Sequence, residues 1–303
     1  MKYLSPLLVS VCICMFASIN TQAQDGAVSN SSSGIAATED TLVLLADSMY
    51  NAFIPDQRLD YCDKFVRTLV RALKTESSYS YTFPKLKDKI NIIAPDDKAF
   101  RVFNWVIDPS EVNRRYYGAI QMAGSELKLY PLVDYTSELG KSAVDSILTK
   151  GKWFGALYYR ILKSEGTEEA VYTFIGLNAS SPIANKKIMD PLRFTDNGVV
   201  FGAPIFSIKT EKGQPVNRFI LEYKKDVQAA MNWDESLKMV YFDRLVSSIN
   251  DPARKYTYVP SGQYDGFRWS GGQWQYVQDL IPVQEFKDGE APAPAPRNTP
   301  AGK

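Results

Sequence analysis

The sequence predicts an α+β fold, with an N-terminal helical pair followed by a mainly antiparallel β-meander. That meander is expected to curl into a sandwich, a barrel or an irregular propeller-like body. Three observations predict this. Apolar residues first recur at three- and four-residue steps, then from about Lys89 give way to short β-rich runs. Turn signals such as Pro95-Asp96-Asp97, Asp196-Asn197-Gly198 and Ser270-Gly271-Gly272 separate those runs. The connections mostly lack crossover helices, which favours antiparallel neighbours over a parallel sheet. No fixed internal period appears, so a regular propeller is not supported.

The chain opens with a short basic start at Lys2, an apolar stretch from Leu4 to Phe16, and small or polar residues ending Thr21-Gln22-Ala23. This layout predicts a secretory signal over residues 1–23, cut after Ala23. The apolar stretch falls short of the roughly 20 residues a membrane span needs. Cys12 and Cys14 follow the bulky Val11 and Ile13, which argues against a lipid-anchor cleavage site. Residues 24–37 are small and polar and read as a flexible leader.

The globular domain is expected over 38–287, with the helical pair at 38–75 and the β-rich body at 89–280. In the first helix Thr38 or Asp40 is placed as the cap, Glu39 and Asp40 suit its positive end, and Leu42, Leu45, Met49 and Phe53 recur at helical spacing. Pro55 starts the second, whose stripe of Leu59, Cys62, Phe65, Val66, Leu69, Val70 and Leu73 is flanked by Arg58, Lys64, Arg67, Arg71 and Lys74. Cys62, on that stripe, reads as a small core residue.

Strands are predicted at Ile90–Ala94, Phe100–Ile107, Arg115–Met122 and Leu127–Val133, then a short helix near Ser137–Leu148. Further strands are predicted at Phe154–Lys163, Ala170–Leu177, Gly198–Ile208, Arg218–Tyr223 and Lys238–Leu245. Tyr256–Val259, Tyr264–Trp269 and Gln273–Val277 complete the body. The Ala-Pro alternation within 288–303 reads as a disordered tail.

Composition narrows the chemistry. The sequence has 35 basic and 34 acidic residues, so no long-range field gathers nucleic acid. There are 3 cysteines, of which Cys62 alone lies beyond the signal, leaving no intrachain disulfide. The count of 0 histidines removes Ser-His-Asp and Cys-His catalysis and histidine zinc sites. No cofactor, metal or nucleic-acid partner is expected, nor a transmembrane segment after the signal. Gly140-Lys141-Ser142 lacks the glycine a phosphate loop needs five positions earlier, where Tyr135 stands. Asp96 and Asp97 read as turn formers rather than calcium ligands.

The most suggestive stretch runs from Tyr264 to Tyr276. Tyr264, Asp265, Trp269 and Trp274 there are the candidate ligand-binding residues, since exposed aromatic rings beside a carboxylate can stack on and hydrogen-bond a sugar. Packing explains them too, with Trp269 and Trp274 as a cross-strand pair closing the last hairpin. For a carboxylate pair, Asp134, Glu222, Asp234, Asp243 and Asp265 are available, but nothing in the sequence pairs them. No catalytic residue is assigned.

The run Ile92-Ile93-Ala94-Pro95-Asp96-Asp97-Lys98-Ala99-Phe100-Arg101-Val102-Phe103-Asn104-Trp105 resembles a pattern in exported proteins of Bacteroidota that carry no assigned function. The run Tyr258-Val259-Pro260-Ser261-Gly262-Gln263-Tyr264-Asp265-Gly266-Phe267 and the signal ending Thr-Gln-Ala-Gln resemble the same group. The resemblance implies a periplasmic or extracellular setting and brings no activity. The expected function is a non-catalytic binding or interaction protein of the envelope, with an envelope protein or glycan as partner. The alternative is a carbohydrate-active hydrolase or lectin-like binder using carboxylates and the aromatic hairpin.

Overall fold

The computed structural model describes residues 22–76, 78–110, 113–165, 169–208 and 216–280. The expected signal up to residue 21 and the Pro/Ala-rich tail lie outside them.

Two helices lead. Helix α1 runs Gln22–Asn51 and α2 runs Pro55–Leu73, with Pro55 at its start, Asp56 in its first turn and Arg71 in its last. The stripe on α2 packs as expected, with Cys62, Phe65, Leu69 and Leu73 buried against Leu42, Ala46 and Met49 of α1. The sequence reading of α1 needs correcting. The helix reaches back through 24–37, the segment expected as a flexible leader, and Ile35 is anchored in the helical core. Glu39 therefore sits inside the helix rather than at its start, and its carboxylate accepts the Leu86 N–H at 2.9 Å and the Tyr81 hydroxyl. Phe53 lies in the turn between the helices and is 94% exposed, not part of the buried face.

Three five-stranded sheets follow. The first holds β1 (Asn91–Ile93), β2 (Phe100–Ser110), β3 (Asn113–Met122), β4 (Leu129–Asp134) and β5 (Lys152–Trp153), side by side in chain order. The second holds β6 (Leu157–Ser164), β7 (Val171–Asn178) and β8 (Ala184–Thr195), with β9 (Gly198–Phe201) and β11 (Phe219–Lys224) sharing the far edge of β8. The third takes β10 (Phe206–Ser207), then β15 (Gln273–Leu280), β14 (Tyr258–Ser270), β13 (Met239–Ser247) and β12 (Met231–Asp234) across its width. All ladders are antiparallel except β4–β5 and β10–β15.

Strand alternation stacks these elements in four layers. On β2, Phe100 and Val102 face the second sheet while Phe103, Trp105 and Ile107 face the helices. On β7, Tyr172 and Phe174 face the first sheet while Ile175 faces the third. The second sheet is thus covered on both faces, which explains its nearly unbroken burial along β7. The fully buried Asn104 ties the first two layers. Its amide donates to the Ala156 and Tyr117 carbonyls at 3.0 Å each and its oxygen accepts the Tyr158 N–H at 2.8 Å.

Several elements differ from the expectation. The middle helix is short: α3 spans Thr136–Leu139 and one 3₁₀ turn follows over Gly140–Ala143. The strand expected at Gly198–Ile208 breaks at Gly202, where a φ of 92° turns the chain away and a Cβ would collide with the Ser146 carbonyl. Strand β8 went unpredicted because Asp190 and Pro191 interrupt its pattern. Pro191 is tolerated where the far-edge partner of β8 changes from β11 to β9.

Candidate functional site

The four expected ligand-binding residues fall at two ends of the last hairpin. Tyr264 and Asp265 lie at one end. Tyr264 is half-buried against the Tyr241 ring at 5.9 Å. Asp265 is 4% exposed and is held by the Arg244 guanidinium, the Tyr276 hydroxyl and the Asp279 N–H. Burial pushes the Asp265 carboxyl up, but those three donors outweigh it and leave it below the usual carboxylate range. This is a closed structural knot, and it does not offer the acid to a ligand. Among the other acids considered, Glu222 pairs with Lys186 and Asp243 caps the Ala230 N–H.

Trp269 and Trp274 lie at the other end, directly opposite each other, with ring centroids 5.3 Å apart and edge to face. Trp274 is 2% exposed and its indole donates to the Thr173 hydroxyl across the layer boundary. It is a core residue, because its side of β15 faces the second sheet. Trp269 is half-buried and reaches the surface.

There it lines a groove with a cavity volume of about 680 Å³. The groove forms where the inner face of the third sheet extends past β6, the outer strand of the second. Leu162 and Trp274 are its buried floor. One wall is the β1–β2 turn with Asp96 and Asp97, and the other is the β12–β13 hairpin with Trp233, Glu235 and Lys238. Arg160, Lys163 and Ser164 come from β6 itself.

The two partly exposed indoles on its lining, Trp233 and Trp269, are fixed by their nitrogens. Trp233 donates to the Glu235 carboxylate at 2.6 Å and Trp269 to the Glu165 carbonyl at 2.7 Å. The acids are paired in turn. Asp97 meets Lys163 at 2.9 Å and accepts the Ala99 N–H, the turn-forming bond its position suggests. Asp96 faces Arg160 at 3.5 Å, and Glu235 is bound by Lys238. Burial raises Asp97, yet Lys163, Ala99 and Tyr172 together draw it below its ordinary value. Lys238 and then Trp233 do the same for Glu235. Ser164 is 5% exposed and its Oγ has no hydrogen-bond partner among the described residues, nor does the Nε of Arg160.

Sequence reasoning found Trp269 and missed Trp233. The run Met231-Asn232-Trp233-Asp234 is a four-residue strand too short to show a period, although its turn residues Asp234 to Lys238 were visible. A wider cleft of about 870 Å³ lies beside β3 and β4, but its Arg114 is engaged by Asp108 at 2.7 and 2.9 Å and its Asp134 by Thr136 and the Tyr116 N–H. Among the described residues no cluster of acids and cysteine could hold a metal ion.

No family model matches the chain, and neither does a curated protein or a solved structure.

Proposed function

We propose that the chain is an exported, non-catalytic binding protein of the bacterial envelope whose ligand seat is the groove lined by Trp233 and Trp269. One observation carries this reading: six of the groove's seven charged side chains face one another in three pairs beside two anchored indoles. Hydrolysis by two carboxylates needs one acid kept protonated near neutral pH. Asp97 and Glu235 are shifted the opposite way, so they suit hydrogen bonding to a bound molecule and not proton donation. Export rests on the basic, apolar and small-residue sections of residues 1–23. No helix of the described residues is long and apolar enough to cross a membrane.

Two measurements test this. Mass spectrometry of native protein from the envelope fraction should find Gln24 as its first residue; an intact Met1 refutes export. Purified protein should co-sediment with fragmented envelopes without releasing soluble products from them, and the Trp233→Ala/Trp269→Ala double variant should remain in the supernatant. Equal sedimentation of both proteins refutes the groove as the seat.

A further inference from the structure

The groove's chemistry also limits what it can hold. We propose that it seats a neutral oligosaccharide, with Trp233 and Trp269 each stacking on one sugar ring; this rests on the binding reading above.

The argument starts from where the two indoles stand. Trp233 is opposite Val240, and Val240 is opposite Phe267, two residues before Trp269 on β14. Residues directly opposite share a face, so both indoles project from the same side of the third sheet. They are two strands apart, which separates them by on the order of 10 Å. That is wider than one sugar ring, so a single monosaccharide cannot stack on both, whereas two separate rings of a linear glycan can. Rigid indoles give large contact area for little lost freedom, and their bonded nitrogens hold them in place before the ligand arrives.

The polar lining selects against a net charge on the ligand. Asp96, Asp97, Glu165 and Glu235 stand among Arg160, Lys163 and Lys238, with three ion pairs formed between the two sets. An anionic ligand has to break one of those pairs, and a cation meets only Glu165 outside them. A hydroxyl breaks none, because it can donate to a free lone pair of a carboxylate and accept from a neighbouring cation. The buried, unpartnered Ser164 hydroxyl adds a further group of the same kind.

An extended peptide is the competing occupant, since β6 is an edge strand. Its edge is closed at both ends, however. The Ala156 carbonyl and Tyr158 N–H are taken by Asn104, the Tyr158 carbonyl by Asn91, and the Glu165 carbonyl by the Trp269 indole. Residues 159–164 are the open stretch of that edge, and the protease test below decides between a peptide there and a sugar.

The test is calorimetric titration, followed also by indole fluorescence, with cellohexaose, xylohexaose, mannohexaose and chitohexaose as probes. At least one hexasaccharide should bind, its monosaccharide at least tenfold more weakly. Trp233→Ala and Trp269→Ala should each weaken binding about tenfold, the effect of losing one aromatic contact. Trp233 lies on an exposed hairpin, so its variant remains informative if the Trp269 variant is unstable. The inference is overturned if no hexasaccharide binds at millimolar concentration, or if the variants bind as well as the parent. Protease treatment of the envelopes separates the two readings. If co-sedimentation disappears with it, the groove binds a protein and the sugar assignment alone fails. If the Trp variants never affect sedimentation, both fail.

Discussion

Arg218 and Asp190 lie in the interior with no exposed side-chain surface, their nearest charged atoms 2.9 Å apart. Arg218 also donates to the Ala143 carbonyl at 2.6 Å and lies over the Phe154 ring, while Asp190 accepts no aligned hydrogen bond among the described residues. Burial raises the Asp190 carboxyl and Arg218 draws it part of the way back. Arg218→Met removes that compensation. Breaking a buried pair from one side costs about 3–5 kcal/mol. The carboxyl can escape by taking up a proton, which at pH 7 costs about 4 kcal/mol from an unfolded value near 3.9. With a urea m-value of about 3 kcal/mol/M, the midpoint should fall by roughly 1.3 M.

The sign with pH follows from proton counting. In the variant the native state holds a proton that the unfolded state releases above about pH 4, so its stability relative to the parent declines as pH rises. Urea melts at pH 4 and pH 7 should therefore show a small deficit at pH 4, about 1 kcal/mol for the bond to Ala143, and the full one at pH 7. Adding Asp190→Leu should restore the parent's midpoint to within about 1 kcal/mol, because position 190 lies between the fully buried Ile188 and Leu192 on one face of β8. A deficit equal at both pH values, or a double variant no better than the single, refutes this reasoning.

Asn104→Ala should lower stability by about 3 kcal/mol, since it strands the Tyr158 N–H and a buried carbonyl; thermal melting should drop by roughly 6–12 °C. Gly202→Ala should cost at least twice as much as Gly271→Ala. Both have positive φ, but a Cβ at 202 meets the Ser146 carbonyl at 2.7 Å and one at 271 meets nothing; urea melts of the two variants decide it. Phe53→Ser should change stability by less than about 0.5 kcal/mol in the same assay, given its exposure. Burial pushes Tyr116 and Tyr117 up to about 12. The native state keeps these protons while the unfolded chain loses them from about pH 10, so stability should fall as pH rises from 10 to 12. The difference in phenolate absorbance between the parent and a Tyr116→Phe/Tyr117→Phe variant should appear only together with unfolding; its appearance in still-folded protein refutes the assignment.

What was legible in the sequence was whatever one face of one element determines alone. The α2 stripe, the strands around Phe100–Met122 and the Trp269–Trp274 pair each carry a local period or a turn that fixes them. The leader was misread because its helix depends on tertiary anchoring through Ile35 and not on an apolar stripe of its own. Strand β8 was hidden because Asp190 looks like a surface residue until Arg218, 28 positions later, is brought against it. The groove follows the same rule. Its lining comes from four stretches, at 96–97, 160–165, 233–238 and 269–274, and only the last looked suggestive alone. Asp97 read as a turn former and Lys163 as the end of a strand, and both readings hold. Their pairing across two sheets, which leaves Asp97 a neutralised hydrogen-bonding group, is a product of layer stacking that no window of sequence contains.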